Sequence, residues 1–196
     1  MSMKPLLIVV PLHPKRECRA KAWLEKENDI ATIKYLPPRP IGEPIYGKGG
    51  QLYSSAALHK AVFEAVYDEW LKNKHRFFGV CLDDVVVENE RVLAECIKIL
   101  ENDPVSFAVG AVAPEMPKMN GQTVLMRFWI TFRHALRYCS YEELFRLYDM
   151  PDWEPAWQTF SGSQCCEFPN LKLSHLLPIS GRAEEHGLGW KFVEGS

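Results

Sequence analysis

Short apolar runs alternate with amphipathic stretches along the first half of the chain. The segment Pro5–Pro11 holds Leu6-Leu7-Ile8-Val9-Val10, and Phe77–Leu82 reads Phe-Phe-Gly-Val-Cys-Leu. Both are too short for helices and lack polar alternation, the pattern of strands buried on two faces in a parallel sheet. Between them the period lengthens. Residues from about Lys15 to Lys26 place Ala20, Trp23 and Leu24 on a narrow stripe, and Asp29–Leu36 reads as a second strand. Ser54 or Ser55 caps a helix running to about Asn73, with Leu58, Ala61, Val62, Ala65, Val66, Glu69 and Trp70 close to one face, a mainly apolar stripe. Asn89–Glu101 is a further amphipathic helix and Val105–Val112 a further apolar strand. The order β-α-β-loop-α-β-α-β predicts a three-layer α/β fold with a mostly parallel central sheet. Right-handed crossovers bring the ends of the first strand and Phe77–Leu82 to a common edge, near the centre of the sheet.

Past Pro114 the pattern weakens. Glu115–Gly121 is a loop, and Thr123–Tyr138 fits helix and strand equally. Tyr141–Tyr148 is helical in pattern, Asp152–Phe160 carries three aromatic residues, and Leu171–Leu177 is a short strand candidate containing His175. Upstream, Pro37-Pro38-Arg39-Pro40 ends regular structure and opens a long loop to about Tyr53. Its Gly47-Lys48-Gly49-Gly50 stretch suits a flexible turn or a close backbone approach to phosphate.

Composition narrows the class. At 196 residues a single domain, 1–196, is expected, with a first half to 114 and a second half from 115. A formal charge of −2 gives no overall case for nucleic acid or membrane binding. Arg127, Arg133, His134, Arg137 and Arg146 make the middle locally basic, either as a phosphate-facing cluster or as solvated side chains. The six cysteines show no paired metal spacing, and Cys81 and Cys96 read as small core residues. No membrane span or export signal is read, so a cytoplasmic setting with reduced thiols is expected.

The candidate chemistry sits where Phe77–Leu82 stops, at Asp83 and Asp84. Ligands of open α/β sheets bind at the carboxyl ends of strands. Two adjacent carboxylates repel each other, and a divalent cation relieves that repulsion. The competing reading is a turn whose aspartates cap the helix starting near Asn89.

The order and spacing over about Lys4–Val112 resemble a nucleotide-sugar glycosyltransferase of the GT-A type, closest to the family-2-like enzymes. The resemblance is carried by the opening strand Leu6–Pro11 and by Gly49-Gly50-Gln51-Leu52-Tyr53-Ser54 leading into a helix. It continues with Gly79-Val-Cys-Leu-Asp-Asp-Val-Val-Val87 and with the strand in Val105–Val112. It implies transfer of a sugar from a nucleotide-diphosphate donor, assisted by Mn²⁺ or Mg²⁺. Asp84 then matches the metal-contacting catalytic aspartate, and His175 matches a late histidine that some GT-A enzymes use as a metal ligand. Pro11, Leu12, His13, Gly49, Gly50 and Asp83 border the donor. Leu82 stands where the family's Asp-x-Asp has its first aspartate, and the short chain implies a small acceptor region. A base for the acceptor hydroxyl is also needed. Asp149, Asp152, Glu154 and Glu167 are candidates, with Asp152 and Glu167 put first. Glycan, protein, lipid and modified nucleic acid all remain as acceptors. The alternative is a non-catalytic or differently reacting α/β nucleotide-binding protein, which the missing first aspartate suits.

Overall fold

The computed structural model describes residues 3–13, 17–38, 45, 46, 52–113 and 116–175, with backbone only at 45, 46, 52–55 and 175. In chain order the elements are β1 (Leu6–Pro11), α1 (Lys21–Leu24, extended by a 3₁₀ turn Glu25–Glu27), β2 (Ala31–Leu36), β3 (Ile45–Tyr46), β4 (Leu52–Tyr53) and α2 (Ser54–Lys72). Then come β5 (Phe77–Cys81), β6 (Val85–Val87), α3 (Val92–Asn102), β7 (Ala108–Val112), β8 (Lys118–Met119) and β9 (Gln122–Thr123). The remainder is β10 (Leu125–Phe132), a 3₁₀ turn Arg133–Ala135, α4 (Tyr141–Tyr148), α5 (Trp153–Ser161), β11 (Cys165–Glu167) and β12 (Leu173–His175).

Six strands make one sheet in the order β11-β7-β10-β5-β1-β2. Within it β1 pairs in parallel with β2 and β5, β11 pairs in parallel with β7, and β10 runs against both β5 and β7. The mostly parallel sheet with β1 and β5 near its centre is therefore present. Its apolar strands need cover on both sides, and helices supply it. Phe63, Tyr67 and Trp70 of α2 and Trp153 and Trp157 of α5 pack with Leu7, Val9 and Trp129 on one face. Trp23 and Leu24 of α1 and Val92, Leu93, Cys96 and Leu100 of α3 pack with Leu6, Ile8 and Val10 on the other. The first face is aromatic: the Phe63 ring stacks on Tyr67 at 5.2 Å and meets Trp157 edge-on at 5.3 Å, arrangements that suit ring quadrupoles.

Several boundaries differ from those the periodicity predicts, each for a polar reason. Of the helix expected over 15–26, residues 15 and 16 lie outside the described residues, and the described part is α-helical only at Lys21–Leu24, preceded by the N-cap Ala20, whose N–H donates to the Asp83 carbonyl. The helix expected from Asn89 starts at Val92, after Arg91 in left-handed conformation. Val105 stays outside β7 because its N–H is drawn to the Asp103 carboxylate at 2.9 Å, an Asx turn. The ambiguous stretch from Thr123 resolves as the strand β10 and a 3₁₀ turn. Its Arg133 is occupied in the fold: Nε and Nη2 donate to the carbonyls of Asn73 and Trp70, closing the end of α2. Arg137 and Arg146 are exposed.

Candidate active site

The β5 ladder runs one residue past Cys81, with the Leu82 N–H donating to the Arg127 carbonyl at 2.8 Å. Asp83 and Asp84 then turn the chain, and the Val85 N–H returns to the Leu82 carbonyl at 3.1 Å. Both aspartates are buried, at 2% and 0% exposure. Asp83 fastens the loop after β1 at two points. Its Oδ2 accepts from the His13 N–H at 2.7 Å, and its carbonyl accepts from Ala20 at 3.0 Å. At the neighbouring strand end, Pro11 pairs with Leu36 and the Leu12 N–H donates to the Leu36 carbonyl. Pro11, Leu12, His13, Asp83 and Asp84 thus meet at the carboxyl ends of β1 and β5.

The turn expected at Asp83–Asp84 is present, but its capping role is not. The first amides of α3, on Leu93 and Ala94, donate to the buried Glu27 carboxylate at 3.0 and 3.2 Å. A side chain from the end of α1 therefore does what an N-cap residue does. Burial holds the Glu27 carboxyl above the ordinary range, against the pull of those N–H groups.

The far end of the chain comes back to the same place. β12 pairs antiparallel with β6 in the register Leu173↔Val87, Ser174↔Val86, His175↔Val85. The His175 backbone is thereby opposite the residue that follows Asp84, so the two α-carbons lie within about 9 Å of each other.

On the other side of β5, strand β10 is bulged. Leu125 faces Val112 and Trp129 faces Gly110, so β10 has surplus residues between those pairs. Arg127 sits in the bulge at φ 72°. Two side chains of α5, one helical turn apart, collect the backbone groups that the bulge removes from the ladder. Gln158 accepts from the Leu125 N–H at 3.0 Å and donates to its carbonyl at 2.7 Å. The buried Glu154 accepts from the Arg127 N–H at 3.3 Å and from the Trp129 indole at 2.8 Å. This anchors the start of α5 beside the end of β5. Asp152 caps that helix, accepting from the Glu154 N–H at 3.4 Å, and lies 3.9 Å from His59 Nδ1 of α2.

Two candidate bases lie elsewhere. Glu167 is exposed on the edge strand β11, separated from β5 by β7 and β10. Asp149 is exposed at the left-handed end of α4. Gly49 and Gly50 lie outside the described residues. His59, the place of Arg127 in a bulge and the holding role of Glu154 were not read from the sequence, because each depends on which segments the fold brings together. The one available signal was the Glu154–Gln158 spacing of four, which puts two polar groups on one face of an otherwise apolar helix.

An open groove of ≈ 420 Å³ runs beside this site, between α1 and β6, lined by Glu17, Cys18, Arg19, Trp23, Lys26 and Val86 among others. The Trp23 indole closes its wall by donating to the Val85 carbonyl at 3.1 Å. Burial raises the Cys18 thiol pKa, and the Asp83 charge adds to the rise. Among the described residues no three His, Cys, Asp or Glu side chains form a metal-binding group, and no helix is long and apolar enough to cross a membrane.

No protein-family model and no curated protein matches this chain. Solved structures do. A glycosyltransferase involved in the glycosylation of the major capsid of PBCV-1 matches 92% of this chain and 97% of its own, at 15% identity and TM-score 0.51. The mannosyltransferase PcManGT from Pyrobaculum calidifontis, in complex with GDP-Man and Mn²⁺, matches 94% of this chain at 12% identity and TM-score 0.53. This chain spans 60% of that longer one. A197 from STIV matches 90% of this chain and 87% of its own, at 14% identity and TM-score 0.50. The chain therefore has a GT-A-like α/β fold and resembles glycosyltransferases in its architecture.

Proposed function

We propose that this chain is a glycosyltransferase that moves a sugar from a nucleotide-diphosphate donor to an acceptor hydroxyl, assisted by Mn²⁺ or Mg²⁺. The acceptor belongs to a glycan, protein, lipid or modified nucleic acid. The observation that supports it most is the pair Asp83–Asp84, buried at the carboxyl ends of the central strands. Adjacent buried carboxylates disfavour each other's charge, and a cation reverses that preference. The donor set suits a small divalent ion: a carboxylate oxygen from Asp84 and an imidazole nitrogen from His175, whose backbone is paired opposite Val85. When bound, the ion stabilises the charge that develops on the departing diphosphate.

The remaining roles fall to the chain itself. Asp83 holds the Leu12–His13 loop through the His13 amide, so that Pro11, Leu12 and His13 border the base, with Gly49 and Gly50 near the phosphates. Asp152 is the proposed base. It takes the proton of the acceptor hydroxyl while the new bond forms to the anomeric carbon and the diphosphate leaves with its electron pair. Glu154 is passed over because its carboxylate already serves the bulge, and Glu167 because two strands lie between its own strand and β5.

The test is thermal shift with nucleoside diphosphates, with and without Mn²⁺. A Mn²⁺-dependent rise in midpoint is expected, lost in Asp84→Asn while the ligand-free midpoint stays near wild type. A rise that persists in Asp84→Asn would remove the proposal. One feature favours the second reading, a nucleotide-binding domain without turnover: Leu82 replaces the first aspartate of the motif. Nucleotide binding indifferent to Mn²⁺, with no diphosphate released from any nucleotide sugar, would establish that reading instead.

A further inference from the structure

The central sheet has a second end, opposite Asp83 and Asp84. Five strands, β1, β2, β5, β7 and β11, start there, and β10 finishes there. The segments that meet at this end are 3–5, 28–30, 73–76, 103–107, 133–140 and 162–164, and bonds tie them together. The Phe77 N–H donates to the Pro5 carbonyl at 2.9 Å, and the Arg133 N–H to the Arg76 carbonyl at 3.0 Å. The Phe132 N–H donates to the Phe107 carbonyl at 3.0 Å, and the Phe107 N–H to the Gln164 carbonyl at 2.8 Å. The Lys4 ammonium reaches the carbonyls of Asn28 and Ala31.

Two features converge here. The first is apolar exposure. Six large apolar side chains are exposed among the described residues, and four of them stand on these segments: Met3 (61%), Val105 (58%), Phe107 (38%) and Tyr138 (72%). A fifth, Leu71, is in the last turn of α2, just before segment 73–76. Single exposed apolar residues are ordinary, but five of six at one end are not a scatter. The turn that presents Val105 is fixed by the Asp103 carboxylate, which accepts its N–H at 2.9 Å. The second feature is charge. The segments carry the cations Lys4, Lys74, Arg76, Arg133 and Arg137 against the carboxylates Asp29 and Asp103. Adding Arg91, which binds Asp29, and Glu101, which meets Arg76 at 2.6 Å, leaves that positive excess unchanged. The whole chain has 23 Lys and Arg against 25 Asp and Glu, so the local sign opposes the overall one.

We propose that this end docks on an anionic membrane surface. The apolar tips stand on separate turns with cations among them: Lys4 follows Met3, Arg137 precedes Tyr138, and the Phe107 ring meets His134 edge-on at 6.4 Å. A protein interface gathers its apolar side chains into a core and leaves charge to the rim. A bilayer interface takes the mixed pattern: apolar tips enter the boundary between headgroups and acyl chains, while charged ends reach lipid phosphates. With its strands upright, a docked chain holds Asp83 and Asp84 about 20 Å from the lipid, the length of the six-residue β1, and facing away from it. The docking does not depend on which reaction that site performs.

The test is co-sedimentation of the full chain with two kinds of vesicle, phosphatidylcholine alone and equimolar phosphatidylcholine and phosphatidylglycerol. Binding to the anionic vesicles, weakening as salt rises, and little binding to the neutral ones are expected. Val105→Ser should weaken it about tenfold, the scale of one buried apolar side chain. Lys74→Gln and Arg137→Gln should each weaken it about fivefold, the scale of one basic residue at such a surface. Lys118→Gln removes an exposed cation from β8, at the site end of the sheet, and should bind as wild type does. Urea midpoints should stay near wild type in all four. Hydrogen exchange of the wild-type chain needs no substitution: anionic vesicles should slow exchange in 103–107 and 133–138 and leave β8 and β9 unchanged. Equal binding to both vesicles, wild-type affinity in Val105→Ser and both charge variants, or protection at the site end instead would overturn the proposal. So would a dimer in sedimentation velocity that Val105→Ser dissociates, with no vesicle binding, which would give this end to a second copy. Neither nucleotide nor Mn²⁺ enters the test, so its failure and a failure of the proposed activity are read separately.

Discussion

β5 and β10 lie side by side in the middle of the sheet and are specified in opposite ways. Every residue of β5 is buried, and its partners are regular: β1 in parallel on one side, β10 antiparallel on the other. Burial of apolar side chains alone accounts for its place. β10 is also mostly buried, but it departs from its ladder at the bulge. The stranded backbone groups of Leu125 and Arg127 depend on Gln158 and Glu154 of α5. A strand set by burial is complete in its own sequence, whereas one set by polar partners is incomplete until a helix some thirty residues later (|i−j| 25 to 33) has docked.

The largest effect should come from cutting that dependence. Glu154→Ala leaves the part-buried Arg127 amide and the buried Trp129 indole without this acceptor, and should cost about 4 kcal/mol in urea unfolding. Glu154→Gln keeps one accepting oxygen and should cost less than about half of that. A loss under about 1 kcal/mol for Glu154→Ala would show that β10, like β5, stands on apolar burial alone.

Two glycines sharpen the contrast, because each flanks β10 from one side. A Cβ on Gly110 of β7 would press on the backbone of Phe128 and Trp129, with the Trp129 α-carbon 2.6 Å away. The bulge, pinned by α5, has no room to retreat. A Cβ on Gly79 of β5 would meet the far end of the Ile8 side chain at 2.6 Å and the Trp129 carbonyl at 2.8 Å. Of these the Ile8 methyl is able to turn away. Gly110→Ala should therefore cost about 3 kcal/mol and Gly79→Ala about 2 kcal/mol. The reverse order, in the same urea measurement, would mean that the bulge yields more easily than the aliphatic core.

The same contrast explains what was legible in the residues. β1 and β5 were readable as short unbroken apolar runs, α2 because its apolar positions repeat with the helical period, and the parallel order from the alternation of such strands with helices. β10 was not, since its pattern fits helix and strand alike and only the α5 contacts decide. Asp83 and Asp84 could be placed at a strand end from sequence, because an apolar run halted there. What surrounds them could not. The Asp83 bond to His13 spans 70 residues, the Glu27 cap of α3 spans 66, and the bond from the Lys172 N–H to Asn89 Oδ1 spans 83. None of these leaves a periodic trace. The three-residue strand β6 was hidden for a related reason: Val85–Val87 is a strand only because β12 returns to it.

The smallest predicted effect compares the ends of the two strands away from the site. The chain reaches β5 through His75, which is buried, with Nε2 3.3 Å from Thr32 Oγ1. Its Nδ1 is also buried and has no hydrogen-bond partner among the described residues. Burial lowers the His75 pKa from its ordinary 6.5, so the native state favours the neutral ring. β10 ends instead at Arg133, whose guanidinium binds the last carbonyls of α2 and covers the Trp70 ring at 5.2 Å. That group stays charged at every working pH. The sign follows from linkage: below 6.5 the unfolded chain takes up a proton at His75 more readily than the native one. The contribution of His75 is thus fully present above 6.5 and is lost as the pH falls from there toward the lowered native value. Urea midpoints at about pH 7.5 and about pH 5.5 should fall further in wild type than in His75→Gln, which carries no titrating ring. Arg133→Lys should lower both midpoints alike, through the loss of its forked donors, and leave the pH difference unchanged. If wild type and His75→Gln lose stability equally on acidification, the start of β5 is as indifferent to protons as the end of β10, and the contrast between the strands ends at the bulge.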